Sequence, residues 1–156
     1  MKKHVIKFRV WDEKYNYFLG LREFTIRGNG NIHCFMREPY QHELRRQDSL
    51  ILEEFTDLVD KSGKEIYQGD IVLLLGSKTN VNGKFVTNMG VVKFGQWTEG
   101  SRYSDSHYVG FYIEEKSFDH LDLIKWSLAD LAAKRPTVGC GIKVVGNIHQ
   151  NKNLLK

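Results

Sequence analysis

Cysteine and proline occur only twice each in this chain of 156 residues, as Cys34 and Cys140 and as Pro39 and Pro136. Two thiols so far apart, without Cys-x-x-Cys spacing, exclude the disulfide framework of a small secreted domain, and both read as reduced, packed cysteines. No apolar run approaches the roughly 20 residues that cross a bilayer as a helix. The N-terminal MKKHVIKFRVWDE turns charged again too early for a secretory signal, so no membrane association and a cytoplasmic location are expected. Internal repeats, low-complexity tracts and heptads are lacking too, which sets aside solenoids and coiled coils.

Motifs that carry chemistry are equally scarce. The glycine clusters Gly28–Asn31 and Gly139–Gly141 have no long helix behind them, so neither reads as a phosphate loop. The six histidines are scattered, without the i, i+4 spacing that puts two imidazoles on one helical face. His33 and Cys34 are neighbours, but adjacent strand residues point to opposite faces. Ser104, Asp105, Ser106 and His107 read as a polar loop, because triad members meet through folding rather than adjacency. Glu114 with Glu115 and Asp119 with Asp122 read as solvated charge. No catalytic residue, metal site or cofactor is therefore expected.

What the chain does have is a globular composition, 41% hydrophobic and 12% aromatic, enough for one good core or two small ones. Its net charge of +4, with a pI near 9.0, is unevenly placed. Residues 1–48 carry ten Lys or Arg against six Asp or Glu, whereas residues 49–156 balance at thirteen against thirteen.

The densest run of local instructions is FTDLVDKSGKEIYQGDIV, Phe55 to Val72. Asp60 to Gly63 is a reverse turn in which Asp bonds its own downstream backbone and Gly supplies a positive φ. Gln68, Gly69 and Asp70 make a second turn, with Gly69 permitting a sharp entry and Asp70 capping backbone N–H groups. Ile71 to Leu75 then enters the core as a strand. Asp60, Gly63, Gly69 and Asp70 are thus the structural turn residues.

Upstream, Val5 to Trp11 alternates as a half-buried strand, with Ile6, Phe8 and Val10 on one face and Lys7 and Arg9 on the other. Further strands are expected at Tyr17–Arg27 and Ile32–Met36, joined by a hairpin at Gly28–Asn31. REPYQHELRRQD, Arg37 to Asp48, reads as a surface connection, and Ser49–Phe55 as the strand leading into the central turns. Downstream, Asn82–Gly83 marks a hairpin turn, and strands are expected at Gly90–Phe94, Tyr108–Glu115 and Ile142–Ile148, with a bend at Gly146. Gln96–Ser106 reads as a loop. Ser127 and Asp130 resemble a capping box, so a short helix is expected over Leu128–Lys134. The expected fold is mainly β. An N-terminal antiparallel β meander with its connecting loop, residues 1–49, precedes a small SH3-like β-barrel with one short helix and a closing C-terminal strand, residues 50–156.

Three blocks, IKFRVWDEKYN (Ile6 to Asn16), LVDKSGKEIYQGDIV (Leu58 to Val72) and VVGNIHQNKNLL (Val144 to Leu155), together resemble the YopX family of bacteriophages and prophages. They fall in the family's order and spacing. Asp57 departs from the pattern where Gly is frequent, His149 where Tyr is usual, and Lys152 where Pro or a small residue is frequent. The resemblance implies a mostly β fold and a phage or prophage origin in a bacterial host, and brings no catalytic residues with it.

One surface combination invites a functional reading: Lys3, Lys7 and Arg9 with Trp11, Tyr15 and Tyr17, accompanied by Lys2, His4 and Phe18. Aromatic residues of this kind suit a core or protein interface, and basic groups beside them suit nucleic acid. The expected function is a non-enzymatic phage or prophage accessory protein that forms homo-oligomers or docks to a phage or host protein. A nucleic-acid-binding module using the N-terminal basic and aromatic face is the alternative.

Overall fold

Alternation in FRVWD makes the first strand, β1 (Phe8–Asp12), and its last residue ends it. Asp12 Oδ1 accepts hydrogen bonds from the backbone N–H of Lys14 at 3.0 Å and Tyr15 at 3.1 Å. Asn16, at φ 58°, returns the chain as β2 (Tyr17–Phe18). The structure, a computed structural model, describes residues 6–34, 49–79, 85–98, 107–115, 124–128 and 141–155.

The single strand expected over Tyr17–Arg27 is broken in two. The backbone N–H of Gly20 donates to Glu23 Oε2 at 2.6 Å and that of Glu23 to the Gly20 carbonyl at 2.8 Å, so the chain turns before β3 (Phe24–Ile26). β3 pairs with β4 (Ile32–Cys34) around a turn in which Gly30 takes φ 85°. The next strand, β5 (Leu50–Val59), is longer than Ser49–Phe55 and carries on to the Asp60 turn, beyond which lies β6 (Glu65–Tyr67). These strands make one antiparallel sheet in the order β2-β1-β5-β6. β1 and β5 lie on opposite sides of the residue 49/50 division, yet they pair from Phe8↔Glu54 to Asp12↔Leu50. The core of Val10, Leu19, Ile32, Cys34 and Leu50 also draws on both sides.

The second sheet is built from β7 (Asp70–Thr79), β8 (Phe85–Thr98), β9 (His107–Glu115), β10 (Ile124–Ser127) and β11 (Gly141–Asn147). Its order is β10-β9-β8-β7-β11, a curled half-barrel. The fold is mainly β, as expected. β8 runs well past Phe94 into the segment read as a loop, because β8 and β9 stay paired from Gly90↔Glu115 to Thr98↔His107. Gly95 stands directly opposite Gly110 in that ribbon, which erases the alternation that sequence reading relies on. At Gly146 the β11–β7 register shifts, and a Cβ there would come within 2.7 Å of Asn151 Oδ1. The Asn82–Gly83 turn and all of the expected helix except Leu128 lie outside the described residues.

The sheets meet over a second core. Ile66, from β6, is 1% exposed and packs with Val72, Leu74, Val92, Ile113, Leu128, Ile142 and Val144, with Leu58 of β5 against it. Among the described residues no helix is long and apolar enough to cross a membrane.

Candidate functional site at the seam of the two sheets

Strand alternation gives the first sheet two unlike faces. Val10, Leu50 and Leu52 point into the small core against the β3–β4 hairpin. Arg9, Trp11 and Glu53 point the other way, toward the start of β7 and the turn after β11. Arg9 and Glu53 are direct cross-strand partners, and Trp11 faces Ile51.

Arg9 therefore does not project into solvent as its place opposite the apolar stripe suggests. Its Nε donates to Glu53 Oε2 at 2.6 Å and its Nη2 to Asp70 Oδ1 at 2.5 Å. The side chains of Glu53 and Asp70 are 3% and 1% exposed. The guanidinium lies between two rings, 4.7 Å from the centroid of Phe18 and 4.5 Å from that of Tyr67. A planar cation with forked donors is the group suited to bridge two buried carboxylates while stacking on aromatic faces. Asn147 completes the clamp: its Nδ2 lies 3.1 Å from both Glu53 oxygens, and its Oδ1 accepts the His149 N–H at 2.9 Å. The His149 ring stacks on Trp11, 5.2 Å between centroids and 11° from parallel.

Gly69 sits against this network with φ 80°. A Cβ there would fall 1.9 Å from Glu53 Oε1 and 3.2 Å from Asn147 Nδ2, so no side chain fits. Its N–H donates to the Val92 carbonyl at 2.8 Å, and its carbonyl accepts from Ile148 N–H at 2.9 Å. The turn thus joins β8, the C-terminal turn and the entry to β7. Asp70 caps it from inside, Oδ2 accepting the Tyr67 N–H at 2.9 Å.

Asp60 holds a second junction. Its Oδ1 accepts from Ser62 N–H at 2.7 Å, Ser62 Oγ at 2.6 Å and Lys64 N–H at 3.0 Å, and its Oδ2 from Val144 N–H at 3.0 Å on β11. Burial works to raise this carboxyl, but the four hydrogen bonds outweigh it and leave the pKa at about 2. Gly63 closes the turn at φ 85°. Nearby, Lys7 pairs with Glu65, whose carboxyl is held below its usual range by that ammonium first and then by the Tyr67 hydroxyl. Burial, followed by the Glu65 carboxylate at 2.7 Å, pushes Tyr67 up to about 12.

The residues singled out from the sequence are thus divided among different places. Asp60, Gly63, Gly69 and Asp70 lie in two turns that tie the sheets together. Arg9 and Trp11, the latter 3% exposed, belong to the seam. Lys7 is engaged with Glu65, and its Nζ lies 5.1 Å from the Phe55 ring centroid. Tyr15 and Tyr17 are on the β1–β2 hairpin, 46% and 38% exposed. Lys3 lies outside the described residues. Sequence reasoning gave Glu53 and Asn147 no role and noted His149 only as a departure from the family pattern. A signal for Glu53 was present: period-two counting through LILEEF places it with Ile51 and Phe55, a charge on an otherwise apolar face. Asn147 and His149 had none, since their role depends on a turn that brings them back over β1 and β5. Among the described residues, no group of three or more His, Cys, Asp or Glu is arranged to hold a metal ion.

The chain is similar to the crystal structure of protein EF1440 from Enterococcus faecalis. The match covers 99% of this chain and 100% of that one, at 20% identity and a TM-score of 0.47. No curated protein matches the chain. The family described as "YopX protein" matches residues 7–156, which takes in both sheets, the two junction turns and the clamp between them, and the chain belongs to the YopX family.

Proposed function

We propose that this is a non-enzymatic phage or prophage accessory protein, cytoplasmic in its bacterial host, whose mainly β fold contains an SH3-like half-barrel and which works by assembling with a second copy of itself. The observation that carries the reading is the outer part of the β8–β9 ribbon. Val109 is 78% exposed and Phe94 49%, on one face of two strands that are direct neighbours, and Tyr108, 41% exposed, lies on the other face of the ribbon. Large apolar side chains gathered in the open mark interaction surfaces more often than isolated ones do. Neither Phe94–Thr98 nor His107–Phe111 contains a Lys, Arg, Asp or Glu, in a chain that is 27% charged. Two copies can bring such a patch together without like-charge repulsion, and a twofold axis needs only one self-complementary surface.

The non-enzymatic part is supported by the clamp. Its carboxylates are engaged by Arg9, Asn147 and backbone N–H groups, which suits holding sheets together rather than moving protons. Size-exclusion chromatography with light scattering tests assembly: the parent should give more than one chain per particle, and Val109→Asp should shift it to one. A parent that stays monomeric at high micromolar concentration removes this reading. Salt-sensitive retention of DNA or RNA would put the nucleic-acid reading in its place, with loss on replacing Lys3 and Lys7 as the check.

A further inference from the structure

A cavity of about 320 Å³ opens at the seam between β5, the β6–β7 turn, β8 and the residues just past β11. Ile51, Val91, Phe94 and Ile148 give it apolar walls, and Glu53 and His149 border it. Its size lies at the lower end of small-molecule sites, roughly 300–1,000 Å³.

Three features of the polar groups point to one kind of ligand. His149 is 10% exposed, and its Nε2 is shielded from solvent without an aligned hydrogen-bond partner among the described residues, although Glu53 Oε1 is 3.2 Å away. Glu53 Oε1 accepts from Asn147 Nδ2 at 3.1 Å, whereas Oε2 also takes the Arg9 bond, so Oε1 has a lone pair to spare. The charge is also uneven: apart from the imidazole of His149, the Arg9 guanidinium alone is set against the two carboxylates of Glu53 and Asp70. Buried charge left uncompensated is costly, so a positive group is what this end of the cavity lacks.

We propose that the cavity binds a small primary amine with a compact apolar body. The ammonium donates to Glu53 Oε1 and to the imidazole Nε2, after a small rotation of His149 on its Trp11 stack that uncovers this nitrogen, and the body lies against Ile51, Val91 and Ile148. Lys93 stands at the cavity too, but its ammonium is paired with Glu114. A carboxylate ligand would meet Glu53, and a neutral alcohol would satisfy the hydrogen bonds without the charge.

The test compares three probes sharing one ring: phenethylamine, phenethyl alcohol and phenylpropionate. Binding to the parent protein is followed by chemical-shift changes at the amides of Gly69, Val92 and Ile148 and at the Trp11 indole N–H. Phenethylamine should bind about tenfold more tightly than the alcohol, as expected for charge-assisted hydrogen bonds, and phenylpropionate should leave these signals unmoved. Val91→Trp, which fills the cavity, should abolish the response while keeping a folded amide spectrum; Val91→Phe takes its place if the larger ring prevents folding. Equal affinity for amine and alcohol would overturn the charge argument. Shifts located elsewhere, shifts that survive the filled cavity, or no binding at millimolar amine would overturn the site.

Discussion

The seam and the outer β8–β9 ribbon are built from opposite materials. Inside, Arg9, Glu53, Asp70 and Asn147 bury charge and amide groups where a small protein usually puts leucine. Outside, Val109, Phe94 and Tyr108 expose apolar surface where it usually puts lysine. The seam shows that buried charge can specify a junction: each group finds partners only when β1, β5, the Gly69 turn and the Asn147 turn are all in register. In the ribbon Phe94 meets Phe111 and Tyr108 stacks on Trp97, but Val109, the most exposed of the three, has no comparable internal account. A seam residue should therefore be felt in stability, and a ribbon residue in association.

The largest effect is expected at Gly69. Gly69→Val places a β-branched side chain at φ 80° and pushes into the Glu53 carboxylate, so it should cost more than about 4 kcal/mol and leave little folded protein in urea titrations. A variant that melts like the parent would mean that the turn does not hold the seam. Arg9→Met comes next. It leaves two buried carboxylates without their cation and should cost about 3–5 kcal/mol, with Arg9→Lys in between because an ammonium cannot supply the same fork.

Most of the strand content was legible from sequence, because period-two alternation and turn residues act locally. β1, the β3–β4 hairpin, the Asp60 and Gly69 turns and the bend at Gly146 all announce themselves in a few residues. The lower half of β8 did not, since Gly95 opposite Gly110 removes side chains from both strands at once and pairing there depends on the partner strand. Arg9 shows the other limit. Alternation correctly separated it from Val10, but could not tell that its face would be covered by a segment about 140 residues downstream, a tertiary fact that no local pattern carries.

Asp60 should have the next effect, and one that depends on pH. Its folded pKa of about 2 lies below the ordinary 3.8, so its contribution is present above pH 4 and is lost as pH falls through 2. That contribution is about 2 kcal/mol. Asp60→Asn should lower stability at pH 7 by about that amount and flatten the acid limb between pH 4 and 2. An unchanged acid limb would show that the β11 junction does not rest on the carboxylate.

A smaller change of opposite sign is expected at Asp57, which sits at φ 63° where the β5–β6 register shifts. Left-handed backbone is cheaper for glycine, partly offset by the freedom glycine gains when unfolded. Asp57→Gly should raise the urea midpoint by the equivalent of up to about 1 kcal/mol at unchanged m-value. A drop in midpoint would mean that the Asp57 side chain supports the bulge itself.

The smallest effect on stability, and the sharpest check of the contrast between seam and ribbon, is expected from Val109→Asp. Val109 is 78% exposed, so a carboxylate there remains hydrated and removes little burial from the folded chain. At nanomolar protein, where assembly is not populated, the variant should unfold within about 0.5 kcal/mol of the parent. At micromolar protein the parent should gain stability with concentration, because association draws the equilibrium toward the folded chain, and the variant should not. A loss above about 1 kcal/mol at nanomolar concentration would place Val109 among the residues that hold the monomer together, and the ribbon would then differ from the seam in chemistry but not in role.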